Sequence, residues 1–264
     1  MMRERWSRTA GPGTVLAVLI GSLVLWELAV LVFGPSPLIL PAPSAIFASF
    51  LRAPGVYLRH AGFTLLTTAI GFGLAVGLGV ALAIGIVYSR LLEHTIYTLL
   101  VAFNSVPKVA LAPLFVIWMG TGAEPRVAIA LMLAIFPIVI DTVLGLRSVD
   151  PDMLSLAQVY RASPLKILMR VRFPHALPSI FAGMKVGISF ALVGAIVGEF
   201  VAGSTGLGHL ILIAQGQFDT PRVFVSLLAL GVMGTVLFYL IDLAERLTLP
   251  WHVSQRALVN KRQA

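Results

Sequence analysis

Residues 150–179, DPDMLSLAQVYRASPLKILMRVRFPHALPS, decide how the rest of the chain is read. They form the one long stretch that is polar, basic and helical in pattern, with apolar segments on both sides. Asp150 before Pro151 and Ser163 before Pro164 each set an N-cap residue ahead of a proline suited to the first helical position. Two short helices are predicted. The first runs from Pro151 to Tyr160, with Met153, Leu156, Ala157 and Tyr160 on one face. The second runs from Pro164 to Arg172, with Leu165, Leu168 and Met169 on one side and Lys166 and Arg170 on another. Pro174 and Pro178 are expected to close the unit, since a proline has no N–H to continue the preceding helix.

The flanking sequence has the opposite character. Of the 264 residues, 58% are hydrophobic and 11% charged, against roughly a quarter charged in soluble domains, so the chain belongs in a bilayer. Apolar runs predict spans at Val15–Phe33, Gly62–Tyr88, Thr95–Met119, Val127–Leu146, Ile180–Val201 and Val223–Leu243, separated by short connections. The fold class is therefore all-α, a polytopic membrane protein of six transmembrane helices in one domain over residues 1–264. The basic start before the first run is read as leading into an uncleaved span rather than a signal peptide. The third run carries Asn104, Ser105, Pro107, Lys108 and Pro113; broken backbone and a charge inside a span are tolerated where it faces protein or water. Asn104, Ser105 and Lys108 are therefore candidates for a translocation pathway, with Glu199 of the fifth run as a gating or structural charge. Glu27, inside the first run, is expected to face protein or an interface. Gly73 and Gly77 predict close helix packing, within the subunit or else at an interface between subunits, and Gly183/Gly187 and Gly194/Gly198 are two further pairs of this kind.

Six spans put both termini on one side. Basic residues gather in the leader, at Arg90, between Arg147 and Arg172 and in the tail, whereas the other side has Arg52, Arg59, Arg126 and Arg222. The positive-inside rule makes the first side cytoplasmic, with residues 150–179 on it. The absence of cysteine excludes a thiol nucleophile, and the absence of GxxxxGK[ST] excludes a P-loop nucleotide site. No HExxH helix occurs. Ser204 and His209 are close in sequence but fall in a polar connection, a poor position for an intramembrane hydrolase. A secondary transporter using Glu27, Asp141 or Glu199 as ion sites is the alternative of another class.

The polar unit resembles the EAA loop of bacterial ABC import permeases, whose pattern is Glu-Ala-Ala, three residues, Gly, nine residues, Ile, any residue, Leu-Pro. It falls here on Ser155-Leu156-Ala157, then Arg161, then Val171-Arg172-Phe173-Pro174. Ala157 and Pro174 are kept, with Val171 and Phe173 as apolar equivalents. Ser155 and Leu156 depart from the pattern, and Arg161 replaces a glycine, which disfavours a tight left-handed turn there. LPAPSAIFASFL, VPKVALAPLFVIWMGTG, LRSVDPDM, FPHALPSIFAGMKVG and GEFVAGSTGLGHLI are similar, in order, to landmarks of the nitrate/sulfonate/taurine branch, which also includes permeases for pyrimidine thiamine precursors.

The resemblance implies a type I importer permease whose loop over residues 150–179 docks in a cleft of a separate P-loop ATPase. Ser155, Leu156, Ala157, Gln158, Val159, Tyr160, Arg161, Ala162 and Ser163 are the implied coupling residues. Leu156, Val159 and Tyr160 would bury against the partner, and Arg161, Lys166 and Arg170 would steer it. The alternative for these residues is an amphipathic helix on the lipid surface. The resemblance further implies a homodimer in the bacterial inner membrane and an extracytoplasmic solute-binding protein. It implies no cofactor on this chain, with ATP and Mg on the ATPase, and no nucleic acid as partner.

Overall fold

The computed structural model describes residues 12–97, 99, 102 and 106–250, and every regular element among them is helical. The principal helices are α1 (Pro12–Phe33), α2 (Pro43–Arg52), α3 (Pro54–Tyr88), α4 (Ala112–Met119), α5 (Glu124–Arg147), α6 (Pro151–Val159), α7 (Pro164–Ile167), α8 (Phe173–Ala202), α9 (Leu207–Gly216) and α10 (Thr220–Thr248). Among the described residues, five stretches are long and apolar enough to cross a membrane: Leu16–Phe33, Pro54–Tyr88, Glu124–Arg147, Pro164–Ala202 and Thr220–Thr248.

The third expected span differs. Thr95–Met119 is not one continuous helix among the described residues: a π-helical turn covers Glu93–Tyr97, a 3-10 turn Lys108–Leu111, and α4 follows. Pro107 immediately precedes the 3-10 turn and Pro113 sits in the first turn of α4, where a missing N–H costs nothing. α3 ends beside the polar hairpin, where the Tyr88 hydroxyl donates to Pro164 O at 3.2 Å, whereas α5 begins at the opposite end, where Arg126 donates to Thr205.

The core is the α5–α8 pair with α3 laid against it. Ala130, Ala134 and Ile138 of α5 meet Ile188, Ala191 and Ala195 of α8, and Phe72 and Ala75 of α3 close the cluster. Small residues set this spacing: a Cβ added at Gly194 would lie 2.6 Å from Ala130 Cα, and one at Gly187 would lie 2.9 Å from Ile138 Cδ1. In lipid, where apolar surface gains nothing by leaving water, such close approach supplies the attraction between helices. The expectation holds for both pairs in α8. Within the chain it fails for Gly73 and Gly77, whose neighbourhood is open, because the face of α3 that packs carries Gly71, Ala75 and Gly79 instead.

Pro174 and Pro178 do not close the hairpin. The chain stays helical from Pro164 to Ala202, through a π-helical segment at Leu168–Arg172 and then both prolines. The widened turn lies just before Pro174 and relieves the clash that a proline ring makes with the preceding turn. Lys185, on α8, ion-pairs with Asp242 and Glu245 of α10 at 2.5 Å each, which lets a lysine sit inside a span.

Candidate functional site

At one end of the bundle stands a helical hairpin. The Asp150 carboxylate accepts from Asp152 N at 2.8 Å and starts α6, and Ser163 Oγ accepts from Lys166 N at 3.4 Å and starts α7. Between them the chain reverses on Arg161, which takes φ +51°. Arg161 N donates to Gln158 O at 2.8 Å and Ala162 N to Ala157 O at 3.0 Å, the bond pair of a Schellman termination. The tight left-handed turn is thus present although an arginine holds the position. Arg172 fastens the hairpin below, donating to Leu146 O at 3.1 Å and lying over the Tyr88 ring. Leu168 is buried against Leu146, Ala176 and Ile180.

The hairpin's outer surface is bare. Leu156, Val159 and Tyr160 are 59%, 78% and 79% exposed, and Met153, Leu165 and Met169 are exposed beside them. Ser155, Gln158, Arg161 and Ser163 are also exposed, whereas Ala157 and Ala162 are half-buried. The structure therefore gathers the nine sequence-predicted residues into one capped turn.

At the other end lies a closed knot around Glu199, which is fully buried. Thr64 Oγ1 donates to Glu199 Oε1 at 2.7 Å and accepts from Leu207 N at 2.9 Å, while Gly208 N donates to Glu199 Oε2 at 2.8 Å. A carboxylate from α8 thus caps the first turn of α9, where helix N–H groups lack partners and the dipole favours an anion. Gly206, at φ +111°, has no room for a side chain: an added Cβ would lie 2.1 Å from Glu199 Cδ. His60 Nδ1 is 3.1 Å from Gly206 N and 2.9 Å from Gly206 O, and Arg126 Nη1 donates to Thr205 Oγ1 at 3.1 Å. Ser204 is exposed, and the His209 ring stacks on His60 rather than on a serine.

A cavity of about 560 Å³ opens on the flank between these ends. Leu133, Phe136, Pro137, Ile140 and Asp141 form its floor from α5, at the spacing of one helical stripe, with Val186 and Phe190 from α8 and Val106, Lys108 and Val109 on the third side. Lys108 Nζ is 5.2 Å from the centroid of the Phe136 ring. Glu199 does not line this cavity, so the structure separates two residues that the sequence reading grouped. Asn104 and Ser105 lie outside the described residues. Asp141 and Phe136 join Lys108 instead; the i, i+4 pairs Phe136/Ile140 and Pro137/Asp141 around an intramembrane proline are the available signal.

A bundle of membrane-crossing helices with a bare helical hairpin at one end and a charged cavity on its flank is that of a transport permease. The profile described as binding-protein-dependent transport system inner membrane component matches residues 73–250. The chain belongs to that family of ABC importer permeases. It is similar to the riboflavin transport system permease protein of Chloroflexus aurantiacus, 38% identical over 96% of this chain and 94% of the relative. It is 32% identical to the formylaminopyrimidine transport permease protein of Halalkalibacterium halodurans, over 88% of this chain and 93% of that one. The putative aliphatic sulfonates transport permease protein of Escherichia coli is also 32% identical, with coverage of 88% and 89%. Among solved structures, a chain of the inward-facing MetNI methionine ABC transporter matches with a TM-score of 0.65 at 18% identity, over 74% of this chain and 97% of that chain. That likeness speaks for the fold. The protein is a membrane-embedded permease subunit, and its family works with an ATPase and a solute-binding protein.

Proposed function

We propose that two copies of this chain form one import pathway for a small polar solute, with the flank bearing Lys108 and Asp141 turned toward the partner copy. Charged side chains inside a span are costly against lipid, which supports burying this surface in protein around water. The hairpin over residues 155–163 docks in the ATPase, which carries ATP and Mg, and the knot end with the segments Gly120–Arg126 and Gly203–Arg222 receives the solute-binding protein. Both termini then lie on the cytoplasmic side with the hairpin, as the distribution of Lys and Arg favours. The sulfonate, riboflavin and formylaminopyrimidine permeases among the relatives support an organic solute over nitrate.

One observation carries the coupling assignment: an apolar patch of Leu156, Val159 and Tyr160 stands exposed on a hairpin that is itself capped and anchored. Rigid, exposed apolar anchors fit a protein cleft. An ion-coupled carrier is disfavoured because two of the carboxylates it would use are engaged as helix caps, Glu199 on α9 and Glu27 on α2, where Ser44 N and Oγ donate to Glu27 at 3.0 and 2.7 Å. The test is affinity purification of the tagged chain from native membranes in mild detergent. Recovery of a P-loop ATPase with ATP-dependent uptake in vesicles supports the reading, and transport by the chain alone without ATP overturns it.

A further inference from the structure

The flank cavity has a lining that selects by chemistry. A small inorganic or sulfonate anion is best held by several converging donors and is repelled by a carboxylate. Here one cation, Lys108, shares the cavity with an acid, Asp141, and most of the lining is aliphatic or aromatic. Its volume of about 560 Å³ lies within the roughly 300–1,000 Å³ common to sites for organic molecules.

One further feature adds direction. Phe136 and Phe190 come from different helices, and Phe190 is 46% exposed, so its ring is available to a guest rather than spent in the core. The lining thus combines the Phe190 ring, a donor at Lys108 and an acceptor at Asp141.

We propose that this cavity is a transit site for a planar nitrogen heterocycle, a ring that stacks on Phe190, donates N–H to Asp141 and accepts from Lys108. The assignment rests on the pathway reading above and narrows it from organic solutes generally to heteroaromatic ones. Stacking supplies the binding, because every such ring offers a π face. The paired donor and acceptor then reject a simple anion, for which Asp141 is a repulsive neighbour.

The experiment is equilibrium dialysis of the full-length chain, purified with its ATPase in lipid nanodiscs, against radiolabelled riboflavin, cytosine and ethanesulfonate. The heterocycles are expected to be retained and ethanesulfonate not. Phe190→Ala should weaken retention about tenfold, in keeping with loss of one stacked face, while Phe190→Trp restores it. Asp141→Asn should weaken heterocycle binding without admitting ethanesulfonate to tight binding. Retention of ethanesulfonate alone, binding of none of the three, or heterocycle binding indifferent to both Phe190→Ala and Asp141→Asn overturns the proposal. Whether the ATPase remains in the same preparation is scored separately by gel. Its loss counts against the transport-complex reading and leaves the cavity to be decided by the chain's own binding.

Discussion

The two ends of this bundle treat exposed chemistry in opposite ways. At the knot, a carboxylate deep in an apolar protein is satisfied by its neighbours: Glu199, Thr64, Gly208 and Leu207 form a closed set of bonds. At the hairpin, local polar groups are spent on capping the helices, and apolar side chains are left bare. A buried charge with every bond made is a fastening. An apolar patch on a rigid hairpin is the kind of surface that the proposed docking in another chain would cover. In a membrane protein, then, the buried acid that first attracts attention need not belong to the transport step.

The sharpest way to break this contrast is the double substitution Leu156→Asp with Tyr160→Asp. It should abolish ATP-driven uptake and release the ATPase while leaving the thermal unfolding of the purified chain in place. Normal uptake with the ATPase still bound would remove the hairpin from the coupling role. Next in size, Glu199→Ala should cost ~3 kcal/mol, since it strips two buried donors of their acceptor. Unfolding in detergent, followed by tryptophan fluorescence, is the measurement, and Glu199→Gln should recover part of the loss. A variant that unfolds normally but fails in uptake would return Glu199 to the pathway.

Smaller effects sharpen the picture. Arg161→Gly should remove the strain of a left-handed arginine and slow amide exchange in α6, by an amount on the order of 1 kcal/mol or less, because glycine also gains freedom in the unfolded chain. Unchanged exchange would mean that the turn stores no strain. Smallest of all, Glu27→Gln should keep one acceptor for Ser44 and leave assembly intact, with only looser protease protection of α2. Full loss of assembly would show that α1 is fastened by far more than this cap.

Much of this was legible from the amino acids because it is local. Asp150–Pro151 and Ser163–Pro164 start helices as read, and five of the six apolar runs are helices of spanning length. What was missed depends on neighbours distant in sequence or on backbone detail. The bond from Thr64 to Glu199 joins residues 135 positions apart, so no spacing rule announces it. Pro174 was read as a stop because proline breaks an α-helical ladder, but the π-helical segment before it alters the ladder that has to be continued. Asp141 lay in plain view and was weighed only as an ion site. Its place on the stripe with Phe136, Pro137 and Ile140 follows from periodicity, but the cavity exists only because α8 brings Val186 and Phe190 alongside.

The unbroken helical run from Pro164 to Ala202 gives the molecule a lever. Its bare end carries Leu165 and Met169, its middle carries Val186 and Phe190 at the cavity, and its far end carries Glu199, all on one piece of backbone. From Phe173 to Glu199 the arm is about 39 Å at 1.5 Å per residue, so a tilt of about 5° at the hairpin swings the far end by ~3 Å. That is about the diameter of a water molecule. The π-helical segment at Leu168–Arg172 is the only widened turn along the arm among the described residues, which places the wrist of the lever beside the surface where force would be applied.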